Sequence, residues 1–222
     1  MTGHGAGGRP GGVTGGDAGD VVPGDLVFLA VTSRLDVDRT ALEGFAPAGA
    51  EVLFVVETDA SSVLAVQLGV MSDEAAVTHL PEWADMMTVP KVLFIGGDRE
   101  PVLIGVGLVR EGTNPYDPRR FGRPAEVGVE PPAGGAFMHV KTGHSPAEYR
   151  DSITALRVFH SYVRVSRAEL RALGRVGSVA VTPALPDDVF GDRPWETWRR
   201  IQRRQPYPAL LWSTWAEHPD RN

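Results

Sequence analysis

The chain has no cysteine. That excludes disulfides and thiolate metal ligation, and it suits a reducing compartment. No stretch approaches the roughly 20 apolar residues needed to span a bilayer, so no membrane partner is expected. Met1 to Asp20 offers no apolar run behind positive charge, so it does not read as a signal peptide. Together these absences lead to the expectation of a cytoplasmic protein. Positive charge is also in short supply: 22 Lys and Arg stand against 28 Asp and Glu, a net charge of −6. Such a surface repels polyanions at long range and lowers the expectation of nucleic-acid binding, although a local basic face can still bind phosphates. Catalytic signatures are missing too. There is no Gly-x-Ser-x-Gly elbow, no His-Glu-x-x-His and no Gly-Lys-Ser/Thr after a glycine loop.

What is present is enough apolar sequence, 42 % over 222 residues, to bury one core. The 26 Gly and 18 Pro break it into short runs and favour several short strands and helices. Residues 1–20, glycine-rich and polar, are expected to form a flexible tail because they bury too little to offset ordering entropy. Residues 23–222 are expected to form a single domain.

β-Branched and aromatic runs predict strands at Asp25–Val31, Glu51–Glu57, Ser62–Leu68, Lys91–Ile95, Val102–Val109, Phe137–Val140, Gly177–Thr182 and Pro208–Ser213. The second and third are expected to pair as a hairpin. A short helix is expected around Arg39 to Gly44, and Arg110 to Gly135 reads as a long excursion. Ser72 is expected to cap a helix carrying Ala76, Leu80 and Trp83 inward. Ser145-Pro-Ala-Glu148 has the form of a capping box, and Tyr149, Ile153, Leu156, His160 and Val163 follow at helical spacing. Ser166-Arg-Ala-Glu169 is a second capping box, with Gly174 as its stop. Pro186–Phe190 is expected to make one helical turn, and Pro194 to open a helix that ends before Pro206. Strands first, then strands mixed with helices, without regular βαβ alternation, predict an α+β fold with a coiled, largely antiparallel sheet and flanking helices.

Every candidate for chemistry has a structural alternative. Gly105-Val-Gly107 lacks the third glycine and the following helix of a dinucleotide loop, so close packing within a strand is the expectation. The six histidines form no ligand spacing, and neither a metal nor a cofactor is implied. His160 is expected to be half-buried and hydrogen-bonded. Ser145, beside His144, is expected to cap a helix. Asp187 and Asp188 could serve as an acid/base pair or hold magnesium, or they could finish a helix start. Arg199, Arg200, Arg203 and Arg204 lie on one helical face, opposite Trp195, Trp198, Ile201 and Gln202. That face could contact phosphates, or it could pair internally through Glu196. Arg119, Arg120 and Arg123 form a second basic cluster, and nucleic-acid contact gains support if the two adjoin.

Leu156-Arg-Val-Phe-His-Ser-Tyr162, Ala184-Leu-Pro-Asp-Asp-Val-Phe190 and Trp198-Arg-Arg-Ile-Gln-Arg-Arg-Gln205 resemble segments of the YqgE/AlgH family in its actinobacterial form. The likeness covers most of residues 23–222 and is most specific over 150–206. It departs from the family where Leu68-Gly-Val-Met71 stands for Leu-Asn-Arg-Pro and Gly96-Gly-Asp-Arg99 for Gly-Gly-Pro-Val. The resemblance implies a bulged antiparallel α+β fold, no established biochemical role, and an inherited label of transcriptional regulator without a DNA-binding motif. The leading expectation is a non-enzymatic protein acting through a protein or small-ligand surface. The alternatives are a regulator that contacts nucleic acid through the C-terminal arginines, and a hydrolase-type enzyme using Asp187 or Asp188.

Overall fold

The computed structural model describes residues 18–30, 52–114, 117–121, 133–206 and 209–214; the helix expected at Arg39–Gly44, Arg123, and most of the tail lie outside them. Five strands make the first sheet: β1 (Asp25–Leu29), β2 (Val52–Thr58), β3 (Ser62–Gln67), β9 (Val163–Ser166) and β10 (Val179–Pro183). Its order is β10-β1-β2-β3-β9, with every pairing antiparallel. The second sheet holds β4 (Met71–Ala75), β5 (Val92–Ile95), β6 (Leu103–Val109), β7 (Phe137–Val140) and β8 (Ile153–His160), in the order β4-β5-β8-β6-β7. Only β5 and β8 run parallel. This is an α+β domain, with its sheet divided in two.

Strand alternation sorts the apolar residues into layers. Leu26 and Phe28 of β1, Val52, Phe54 and Val56 of β2, and Phe94, Val106, Phe137 and Phe159 from the second sheet fill the space between the sheets. The intervening residues Val27, Leu29, Leu53 and Val55 face the other way. They meet Leu170 of helix α2 (Arg167–Arg175; α1 is Ala76–His79) together with Ala18 and Val21, so packed chain is already present at Ala18. Behind the second sheet, Ala76, Leu80 and Trp83 pack on Met138, Val140, Leu156 and Val158. Helices α3 (Pro186–Phe190) and α4 (Thr197–Arg203) contribute Val189, Trp198 and Ile201 to the central layer. No helix among the described residues is long and apolar enough to cross a membrane.

Four local expectations fail, each for a physical reason. Residues 149–163 are not a helix. The Ser145 cap forms, its Oγ accepting from the Ala147 N–H at 3.3 Å, but the 3-10 turn stops at Glu148 and β8 follows. A strand buried on both faces carries apolar residues at every spacing, so the helical matches were incidental. Ser72 sits in β4, and the helix starts four residues later, at Ala76. Residues 209–214 form a 3-10 helix, where a strand was expected. His160, at the end of β8, is exposed, not half-buried.

The glycine pairs have packing roles. A Cβ on Gly96 would lie 2.3 Å from the Ser161 carbonyl oxygen, and one on Gly97 would lie 2.1 Å from the Tyr162 carbonyl carbon. The chain leaving β5 therefore presses on the 161–162 crossover between the sheets, where Ser161 takes a φ of 66°. On Gly105, a Cβ would meet the Val140 carbonyl oxygen at 2.6 Å, as close packing in a strand requires.

Candidate functional site

Two places in the fold hold arginines that the sequence singles out. The first is an open cleft of about 450 Å³. Pro23 leads into β1; Val56 and Glu57 come from β2; Pro118, Arg119, Arg120 and Phe121 form one wall; His139 and Lys141 stand at the end of β7. A register shift between Val55 and Glu57 inserts a bulge into β2 at the cleft, the kind of irregularity that re-aims side chains. The 119–121 segment is fixed against the edge of β7. The Phe121 N–H donates to the Phe137 carbonyl at 2.9 Å, and the His139 N–H donates to the Arg119 carbonyl at 2.8 Å. Phe121 stacks on the His139 ring, with centroids 6.1 Å apart, and meets Phe54 edge-on at 5.6 Å.

The charges in the cleft are unevenly compensated. Arg119 is closed by Asp117, its Nη2 lying 2.6 Å from the carboxylate, and it covers the Tyr149 ring at 5.0 Å. That hydrogen-bonded pairing holds the Asp117 carboxyl below its ordinary range. Arg120 makes no ion pair among the described residues, although the Asp117 carboxylate lies within its field. Its guanidinium donates to the backbone carbonyls of Gly135, Thr113 and Asn114. Lys141 is exposed, and among the described residues nothing binds its ammonium. Burial pushes the His139 imidazole below its ordinary pKa, the Lys141 charge adds to that, and Glu57 opposes it. The cleft thus holds a neutral imidazole at pH 7, between unmatched cations and an apolar floor.

The second place is the C-terminal helix, where Arg200 and Arg204 turn inward. Arg204 Nη1 lies 2.6 Å from the Asp188 carboxylate, and its Nη2 donates to the Pro183 carbonyl at 3.1 Å. Arg200 donates to the Thr197 hydroxyl at 3.2 Å, and its Nε is buried without a partner. Arg199 and Arg203 are exposed. Helical spacing offered Glu196 to Arg199 or Arg200; Glu196 lies 3.5 Å from Arg193. Trp198, Ile201 and Gln202 are buried as expected, but Trp195, in the preceding 3-10 turn, is exposed. None of the four C-terminal arginines lines the cleft occupied by Arg119 and Arg120.

Asp187 and Asp188 do not form an acid/base pair facing a cavity. Asp188 is buried, and its Oδ2 accepts from the Leu185 N–H at 2.8 Å as well as from Arg204. Asp187 is exposed, and neither aspartate lines the cleft. The helix-start alternative accounts for Asp188. Among the described residues no group of three His, Asp or Glu could hold a metal ion.

Sequence reasoning missed His139, Lys141, Glu57 and Phe121 as site residues. Alternation along β7 was the available signal: His139 and Lys141 share a face, while Val140 goes to the core. It also passed over Arg157. That residue lies on the inner face of β8, buried, stacked 4.4 Å over Phe94, and donating to the carbonyls of Val89, Val189 and Gly191. Burial lowers its pKa to about 10, with help from Arg200. It ties the end of α3 to β8, where a cation also suits the carbonyl terminus of the helix.

Fold and site together define a two-sheet α+β protein with a cleft between the bulge of β2 and the edge strand β7. By sequence it belongs to the UPF0301 family, also called YqgE/AlgH. It is 30 % identical over 172 residues to the UPF0301 protein CE2927 of Corynebacterium efficiens, covering 77 % of this chain and 81 % of that protein. It is 31 % identical over 169 residues to a UPF0301 protein of Mycolicibacterium gilvum, covering 76 % and 77 % of the two chains. The crystal structure of protein DIP2367 from Corynebacterium diphtheriae matches with a TM-score of 0.68 at 26 % identity, over 88 % of this chain and 93 % of that one. No family model matches the chain. These relatives are uncharacterised members of the same family.

Proposed function

We propose that this protein works by binding, without catalysing a reaction, and that the cleft lined by Arg120, Phe121, His139 and Lys141 is its binding surface. The observation that carries the reading is the charge state of that cleft: among the described residues Arg120 and Lys141 face it without forming an ion pair, beside an apolar floor. A half-buried cation such as Arg120 is costly to keep without a full counter-charge, and a bound acidic group would offset that cost. The residues suggestive of catalysis are already engaged, Asp188 with Arg204 and the Leu185 N–H, Ser145 with the Ala147 N–H. The ligand is a small molecule or a segment of a protein partner. The test is a thermal-shift screen of small organic acids and acidic peptides against wild type and K141M. A ligand that stabilises wild type and not K141M supports the reading. Turnover in a broad hydrolase or transferase screen would overturn it.

A second reading, contact with nucleic acid in a regulatory role, draws on the exposed Arg199 and Arg203. It requires binding that weakens steeply with salt, and a mobility shift at low salt lost in R203E is its test.

A further inference from the structure

We infer that the cleft takes a small organic monocarboxylate, and that taking it up draws a proton onto His139. This deepens the proposed function and rests on the cleft being the binding surface.

The charge count selects the ligand class. Among the described residues, Arg119, Arg120 and Lys141 face Asp117 and Glu57, three cations against two carboxylates, which leaves one positive charge at neutral pH, where His139 is neutral. A monoanion cancels it there. At that pH a dianion such as a phosphate ester overcompensates and brings its second charge toward Glu57. The remaining lining, Pro23, Val56, Pro118 and Phe121, is apolar and fits the hydrocarbon body of such an acid. Lys141 is the mobile cation that can close on the carboxylate. Arg120, fixed by three carbonyls, supplies a stationary field.

The same geometry couples the ligand to a proton. The groups facing His139 are Lys141 from its own strand end, Glu57 from β2, and Arg119 and Arg120 from the wall whose Phe121 stacks on the ring. In the empty cleft, burial and Lys141 keep the imidazole neutral, with Glu57 opposing. A carboxylate placed among these groups screens Lys141 and adds a negative neighbour, both of which favour imidazolium. Binding therefore consumes a proton. Affinity rises as pH falls through the bound-state pKa of His139 and levels off below its free-state pKa.

The experiment is isothermal titration of benzoate and hexanoate into the full chain between pH 5.5 and 8, with inorganic phosphate as comparator. Each titration is run in two buffers of different protonation enthalpy. The His139 ring signals, assigned by their loss in H139Q, are followed by NMR with and without benzoate. A carboxylate-induced rise of about one in the His139 pKa makes binding tighter at pH 5.5 than at pH 8, by a factor that approaches about ten as its upper bound. That result, with proton uptake that disappears in H139Q, is the expected one. Affinity lost in K141M but constant across pH, with an unmoved His139 titration, overturns the coupling and leaves the cleft reading standing. Phosphate binding more tightly than both carboxylates overturns the ligand class. No binding by any probe at any pH removes the cleft reading itself.

Discussion

The two arginine clusters look alike as sequence, each a run of guanidinium groups beside aromatic residues, yet the fold uses them in opposite ways. At the C-terminus, Arg204 spends its charge on Asp188 and Arg200 lies against Thr197, so the helix is fastened to the body of the domain. In the 117–121 segment, Arg119 is neutralised by Asp117, but Arg120 is held by carbonyls alone and its charge reaches the cleft. The difference lies in the partner. A carboxylate cancels the field of an arginine, whereas carbonyls fix its position and leave the charge available to a ligand. Basic residues in a sequence therefore say little about binding until their counter-charges are located.

The largest expected effect probes the fastened cluster. In D188A the Arg204 charge loses its partner and the Leu185 N–H loses its acceptor. Removing one member of a buried pair costs roughly 3–5 kcal/mol, and because Arg204 remains 24 % exposed about 2–4 kcal/mol is expected here, read as a lower urea midpoint with unchanged slope. A loss under about 1 kcal/mol would mean the pair behaves like a surface ion pair, and the contrast between the clusters would fail.

R120M probes the other side. It removes hydrogen bonds to three backbone carbonyls but no ion pair. At roughly 1 kcal/mol net for a typical hydrogen bond, offset by the relief of an uncompensated charge, the expected loss is about 1–2 kcal/mol. Any affinity of the cleft for acids should fall far more than the stability does. Equal loss in D188A and R120M would erase the distinction.

Much of this contrast could not be read beforehand. Strands β1, β2, β3, β5, β6 and β7 were legible because each is a short β-branched or aromatic run between turn residues. The Ser166 cap and α3 were legible because capping is local chemistry, and the Ser166 hydroxyl does accept from the Glu169 N–H at 3.0 Å. Strand β8 was misread because Leu156, Val158 and Phe159 pack on opposite sides of one sheet, which destroys alternation. The cleft was illegible because Glu57, Arg119 and His139 stand far apart in the chain and meet only once β2 and β7 are set in different sheets. The partner of Arg204, Asp188, lies 16 residues back, beyond any helical spacing, and the spacing of α4 offered Glu196 to Arg199 or Arg200 only.

Acid titration sharpens the comparison at smaller amplitude. Asp117 has a folded-state pKa below its unfolded value, so its contribution is present above the ordinary carboxylate range and lost as pH falls through the folded value. The stability gap between wild type and D117N should hold at neutral pH and shrink below about pH 4. His139 has a depressed folded-state pKa too, because burial favours the neutral ring. Its contribution is present above about pH 6.5 and is lost as pH drops from there. H139Q should flatten the wild-type decline in melting temperature in that window. A decline identical in both proteins would show that the ring protonates without cost, against its burial.

The smallest expected effect falls on Arg203. It is exposed on the outer face of α4 while Trp198 and Ile201 of the same helix are buried. As the last residue of α4 its charge favours the carbonyl end of the helix by about 0.3–1 kcal/mol, so R203A should melt only slightly below wild type. That small effect leaves it a usable probe of the remaining reading. If nucleic acid contacts this face, R203A and R203E should weaken a low-salt mobility shift, and R203A should flatten the dependence of affinity on salt, while the fold stays intact. If binding is absent, or indifferent to Arg203, this face of α4 contributes no nucleic-acid contact, and the cleft remains the binding surface we propose.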